Sequence, residues 1–221
     1  MQPSITSEQL DKCTNGKVWD LSNQVLYNLC ATHFNHDTDE KIIAKTLLIG
    51  RTYAAAIERR KNKSNINDNF YIDVVAPTFK NSKLDTILTE LKQINHLSVD
   101  TLPKIIDAHF YLTKTLFDIT NLDKRSFSSK YLHFHLPDLF FIYDSRAVIA
   151  MRLFSSRLSK QLKVLADREN TDKEYSNFYC KCFALRQTIY EQHNILLTPR
   201  QLDNLLIDTA NNKILSSLTA T

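Results

Sequence analysis

Only two glycines, Gly16 and Gly50, occur in 221 residues, and that scarcity restricts the folds open to the chain more than any other feature. Tight β-hairpins favour turns that place glycine at positive φ, so a sheet built from them is disfavoured. Walker-type loops and dinucleotide fingerprints need several glycines to bring backbone against phosphate, and both are excluded. Most of the chain instead carries apolar residues at helical period. The expectation is an all-α, multi-helix globular domain of eight or so helices. It spans residues 1–221 as one domain, or as two subdomains, 1–100 and 101–221.

A chain of this length can bury a substantial core, and its 43% hydrophobic and 24% charged residues are ordinary for a globular protein. The net charge of +4 tolerates nucleic acid as a partner, although many proteins without one share it. Met1 to Lys12 is polar and lacks an apolar signal core. No apolar run approaches the roughly 20 residues that span a bilayer. These features predict a cytoplasmic protein without membrane contact. The cysteines are Cys13, Cys30, Cys180 and Cys182. Cys180 and Cys182 match neither zinc-ligand nor redox-pair spacing, and on a helix they point about 200° apart. Buried free thiols are expected, with no metal and no cofactor.

Local signals divide the chain further. Asp20 reads as the cap of a first helix running through Cys30. Asp37 with Glu40 resembles a capping box opening a helix to about Arg60, with Ile43, Leu47, Tyr53 and Ile57 on its apolar face. Gly50 inside that helix costs roughly 1 kcal/mol relative to alanine, which points to close packing. Arg59, Arg60, Lys61 and Lys63 form a basic cluster before a polar loop ending at Asn69. FYIDVVAP, closed by Pro77, allows a brief extended piece. Ser82 opens a helix carrying Leu84, Ile87, Leu88, Leu91 and Ile94, and Pro103 suits the first turn of another reaching about Asp118. Ser145 to Leu165 is amphipathic, with a basic side of Arg152, Arg157, Lys160 and Lys163. A further helix carries Tyr179, Phe183 and Ile189, and Thr198-Pro199 caps the last one.

The densest run of chemistry-bearing residues is Ile119 to Arg146, ITNLDKRSFSSKYLHFHLPDLFFIYDSR. It reads as a short turn, a helix, a loop marked by Pro137, and Asp144 where the next helix starts. Asp144 suits an N-cap; compatibly, a capped aspartate is a fixed carboxylate able to stabilise positive charge on a sugar or orient a nucleophile. His133 and His135 diverge on a helix and would chelate a metal only if extended. Hydrogen bonding within the core or at the helix end is the preferred reading for them, and packing for His109. Phe140, Phe141 and Tyr143 read as packing beside the helix start, or as a wedge or stacking wall for a base.

This run resembles the helix-hairpin-helix segment of the DNA glycosylase superfamily, nearest to its 8-oxoguanine-glycosylase-like branch. Ile119 and Leu122 fall at the hairpin's hydrophobic positions, Pro137 in its loop and Asp144 at its aspartate. Arg125, nineteen positions before Asp144, stands where that family places a catalytic lysine when it has one. The resemblance implies DNA as partner, excision of a modified or damaged base, and Asp144 as the catalytic residue. Lys124, Arg125, Lys130, Arg146 and Arg51 are the candidate nucleic-acid contacts. The sequence departs from the family where Asn121 and Asp123 replace hairpin glycines. Arginine also stays protonated and cannot form a Schiff base, so a monofunctional glycosylase is implied. The alternative is a non-catalytic DNA-binding or protein-interaction module on the same scaffold. The blocks GRTYAAAIERR, KRSFSSKYLHFH, IYDSRA and LTPRQLD also resemble bacterial proteins without assigned activity, some linked to phage defence.

Overall fold

A computed structural model describes residues 5–16, 18–58, 69–154 and 158–219, with side chains described as far as Asn212. The basic cluster at residues 59–63 lies outside the described residues, as does Arg157. The fold is all-α, with eleven α-helices among the described residues. None of them is long and apolar enough to cross a membrane.

The chain forms two compact units. One is continuous and contains α2 (Val18–Thr32), α3 (Asp39–Thr52), α4 (Ala76–Lys80), α5 (Leu84–Leu91), α6 (Leu102–Thr120) and α7 (Arg125–His135). The other joins the two ends of the chain, pairing α1 (Ser7–Thr14) with α8 (Ser145–Phe154), α9 (Lys160–Ala166), α10 (Lys173–His193) and α11 (Pro199–Thr219). The boundaries fall at residues 17/18 and 140/141, not near residue 100, because α6 packs on α5 and α7.

In the continuous unit α7 is the central element. Every residue from Phe127 to His135 is buried, Ser128, Ser129, Lys130, His133 and His135 among them, and α2, α3 and α6 pack around it. A helix buried on all sides is usually apolar throughout; this one brings five polar side chains into the core, each of which needs partners. The unit's aromatic core stacks on it, with Tyr131 against Phe79 and Phe127, and Phe134 against Tyr27 and Tyr53.

Several local expectations are corrected. The cap of α3 is Thr38, whose hydroxyl accepts from Lys41 N at 3.5 Å; Asp37 pairs with the Lys41 ammonium at 2.9 Å instead. The buried face of α3 is Ile42, Lys45, Thr46, Ile49 and Gly50, one position out of step with the apolar face expected, because a lysine and a threonine turn inward. Residues 71–75 form a π-helical turn that runs into α4, with Pro77 in the first turn of α4, so no extended piece forms there. Helix α2 starts at Val18, with Asp20 inside its first turn. The basic stretch after Ser145 is two helices, α8 and α9. By contrast α6 has its proline in the first turn. Thr198 and Gln201 exchange side-chain and backbone bonds at the start of α11, at 2.8 and 3.2 Å.

Helix α3 ends in a Schellman arrangement. The Ala55 amide donates to the Gly50 carbonyl at 2.7 Å and the Ala54 amide to that of Arg51 at 3.3 Å, with Ala54 at φ 50°. That geometry is usually occupied by glycine, since a Cβ is strained in the left-handed region. The turn folds back so tightly that a Cβ on Gly50 would lie 3.2 Å from Ala56 Cα, which is the close packing the sequence suggested. Ala54→Gly is therefore expected to stabilise the protein by about 0.5–1 kcal/mol, the strain relieved outweighing the entropy lost. Chemical denaturation reads this as a raised midpoint at unchanged slope.

Candidate functional site

Asp144 caps α8. Its Oδ1 accepts from the amides of Arg146 at 2.9 Å and Ala147 at 3.0 Å, the second and third residues of the helix. The side chain is half-exposed, and Oδ2 has no hydrogen-bond partner among the described residues. The carboxylate is thus immobilised through one oxygen and presents the other. The hydrophobic residues before it are packing elements. Phe140 and Phe141 are buried, with Phe141 edge-on to Tyr179, and Tyr143 lies against Phe178 and reaches Glu174 at 3.2 Å.

The segment in which a hairpin was expected consists of α6, a four-residue connection and α7. Asn121 takes the left-handed conformation at φ 52° and its amide caps α6 by donating to the Phe117 carbonyl at 2.8 Å. The short polar side chain substitutes for the expected glycine there.

The basic candidates separate. Lys124 is half-buried and its Nζ donates to the Ala56 carbonyl at 3.1 Å. Lys130 is buried; its Nζ donates to Ser126 Oγ at 2.9 Å, reaches the Tyr53 carbonyl at 3.5 Å, and lies 5.6 Å from the Tyr53 ring centre. Both lysines therefore brace the turn that ends α3. Arg51 is exposed beside the same turn and pairs with Glu58 at 2.9 Å. Arg125 is half-buried at the start of α7, where its carbonyl accepts from His109 Nε2 at 3.2 Å. Lys124, Lys130 and Arg51 are brought together by one turn of the continuous unit. Arg146, exposed on α8, belongs with Asp144 to the other unit.

The most concentrated polar chemistry lies elsewhere in the continuous unit, and sequence reading named only one of its members. Lys45, fully buried in α3, donates to the carbonyls of His33, Phe34 and Asn35 at 2.7, 3.2 and 3.2 Å. Its Nζ also lies 3.3 Å from His36 Nε2 and 3.2 Å from His135 Nε2. The carbonyls follow the end of α2, where the helix dipole favours a cation. His135 Nδ1 must donate to the Tyr131 carbonyl at 2.8 Å, so its Nε2 lone pair faces Lys45. His36 Nδ1 bonds Asp85 Oδ1 at 2.5 Å, and Tyr131 Oη lies 2.6 Å from His36 Nε2. His133, on the opposite side of α7, is fixed between Phe140 O at 2.8 Å and Tyr27 Oη at 2.7 Å. The two α7 histidines are thus core hydrogen-bonding residues with separate partners.

Burial sets the charge states. It lowers the Lys45 ammonium to about 8. Burial, reinforced by Lys45, lowers His36 to about 4 and holds His135 well below the ordinary histidine range. Burial also pushes the Cys30 thiol up to about 12. All four cysteines are buried and none forms a disulfide. The arrangement is one cation enclosed by neutral acceptors, with Asp85 at its exposed edge. A lysine at a helix position otherwise facing the core, as Lys45 is between Ile42 and Ile49, was the available signal.

No protein-family model matches the chain, and comparison with curated proteins and with solved structures finds no match either.

Two measurements follow from this geometry. Asp144→Ala removes the cap of α8 and is expected to cost about 1 kcal/mol, whereas Asp144→Asn, an equally good cap, is expected to stay within a few tenths of wild type. Urea denaturation of both variants checks this. His36 takes up a proton near 6.5 when unfolded and near 4 when folded. The stability contributed by its neutral ring is therefore present above pH 6.5 and lost as pH falls from 6.5 toward 4. The urea midpoint is expected to drop across that window, and His36→Gln to flatten the drop. Equal declines in the two proteins would show that another group titrates.

Proposed function

We propose that this protein binds DNA and excises a modified or damaged base, with Asp144 as the catalytic carboxylate. The observation that carries this reading is the Asp144 geometry, with Oδ1 locked by two backbone amides and Oδ2 uncommitted on a half-exposed side chain. Such a group stabilises positive charge on the sugar as the glycosidic bond breaks, without reorganising during the reaction. The C–N bond electrons leave with the base, which also takes up a proton; water adds at the sugar carbon and releases one. The bond is shielded in the stacked duplex, so the base must first be extruded. Lys124 and Lys130 bond carbonyls of the α3 turn, which supports water over lysine as the nucleophile. Arg146, exposed on α8 beside Asp144, is the phosphate-contacting candidate of that unit.

A second reading, a non-catalytic interaction module, is favoured by the outward face of α2. Val18, Trp19, Leu21 and Val25 are 83%, 69%, 77% and 63% exposed, and four large apolar side chains on one helix suit a protein partner.

Abasic-site formation on duplexes carrying modified or mismatched bases separates the two. Wild type is expected to form abasic sites and Asp144→Asn to slow that step by about 10²–10³-fold. Because asparagine keeps the cap, such a loss reports chemistry and not folding. Equal base release by both proteins would remove Asp144 from the mechanism. No product from wild type on a broad panel would leave the interaction module.

A further inference from the structure

One long stretch of this chain carries positive charge without any acidic residue. Residues 145–166 contain Arg146, Arg152, Arg157, Lys160 and Lys163 and no aspartate or glutamate, a net charge of +5. The whole chain carries +4, so the other residues together carry −1 (4 minus 5). Acidic side chains resume at Asp167 and Glu169. Helices α8 and α9 span most of this stretch, belong to the same unit and both pack on α10.

Their inward faces are apolar, Ala147, Ala150, Met151 and Phe154 on α8 and Leu162 and Ala166 on α9. The outward residues are Arg146, Ile149 and Arg152 on α8, and Lys160, Lys163 and Val164 on α9, all exposed. Arg146, Ile149 and Arg152 recur every third residue and so lie within a sector of about 120°. Among the described residues none of these four cationic side chains has a hydrogen-bond or ion-pair partner. Elsewhere Lys41, Arg51, Lys80 and Arg200 are each paired with a carboxylate.

We propose that the outward faces of α8 and α9 form the surface that follows the phosphate backbone of duplex DNA. The inference rests on the DNA-binding reading and adds Arg152, Lys160 and Lys163 to Arg146 as its contacts. Uncompensated cations on rigid helices release counterions when they neutralise phosphates, which gives affinity without base recognition. The surface carries no aromatic side chain for stacking single-stranded bases. It presents only Ile149 and Val164 as exposed large apolar groups, too few to insert into a lipid surface, where binding scales with buried apolar area. Asp144 immediately precedes α8, so strands held along this face pass the candidate carboxylate.

The test is the salt dependence of duplex binding by three proteins. These are wild type, the triple variant Arg152→Gln/Lys160→Gln/Lys163→Gln, and a control, Lys83→Gln/Lys104→Gln/Lys114→Gln. The control removes the same charge from exposed positions of the other unit. Wild-type affinity is expected to fall steeply with salt. The α8–α9 variant is expected to lose about 2.7 from the magnitude of the log–log slope, 0.9 per phosphate contact, and at least about 10-fold in affinity near 0.1 M salt. The control is expected to keep the wild-type slope. Wild-type binding with equal slopes in both variants would overturn the location and leave DNA binding standing. No duplex binding by wild type would overturn the DNA reading and this inference together. Binding of wild type to vesicles of phosphatidylserine and phosphatidylcholine, lost in the α8–α9 variant and without duplex affinity, would assign the surface to lipid instead.

Discussion

The continuous unit depends on the burial of one ammonium group. A lysine without solvent is tolerated only when its charge is answered by fixed acceptors, and Lys45 obtains them from three successive carbonyls after α2 and from two imidazoles. That requirement fixes the path of residues 33–36, which brings His36 to Asp85 at the exposed edge and to Tyr131 on the central helix. It also keeps both imidazoles neutral, since a protonated ring beside a buried ammonium would double the charge in one place. Within this cluster Lys45, His36 and His135 each meet at least two neighbours, which offsets the cost of burying them.

The same economy explains why the basic candidates of the hairpin differ from one another. Lys124 and Lys130 are held by carbonyls at the end of α3, where left-handed Ala54 and the missing Cβ of Gly50 let the chain double back. They are structural cations of that turn. Arg146 and Arg152 on α8 and Lys160 and Lys163 on α9, in the unit that also carries Asp144, have no such duty among the described residues.

Asp144 shows how a capping residue and a candidate catalyst coincide. The cap consumes one carboxylate oxygen and orients the other, so the physical demand of starting a helix supplies the rigidity that electrostatic catalysis needs. Local pattern was enough to find this residue, because a capping aspartate precedes its helix directly in sequence.

Local physics was legible throughout: the scarcity of glycine set the all-α class, Pro103 and Thr198-Pro199 marked helix starts, and Asn121 and Pro137 framed α7. These signals act over a few residues, so the order of residues alone carries them. The burial of α7 on every side, and with it the cage of Lys45, His36 and His135, was decided by tertiary structure. Its polar members come from α3, from the segment after α2 and from α7, as far apart as Lys45 and His135. Helical period between Ile42 and Ile49 hints that Lys45 faces inward, but the acceptors that make its burial tolerable are assembled only by the folded chain. The division into units was likewise beyond the sequence, since α1 joins α8 to α11 across more than a hundred intervening residues. Propensity and capping determined what each segment is, and long-range packing decided which polar groups it could afford to bury.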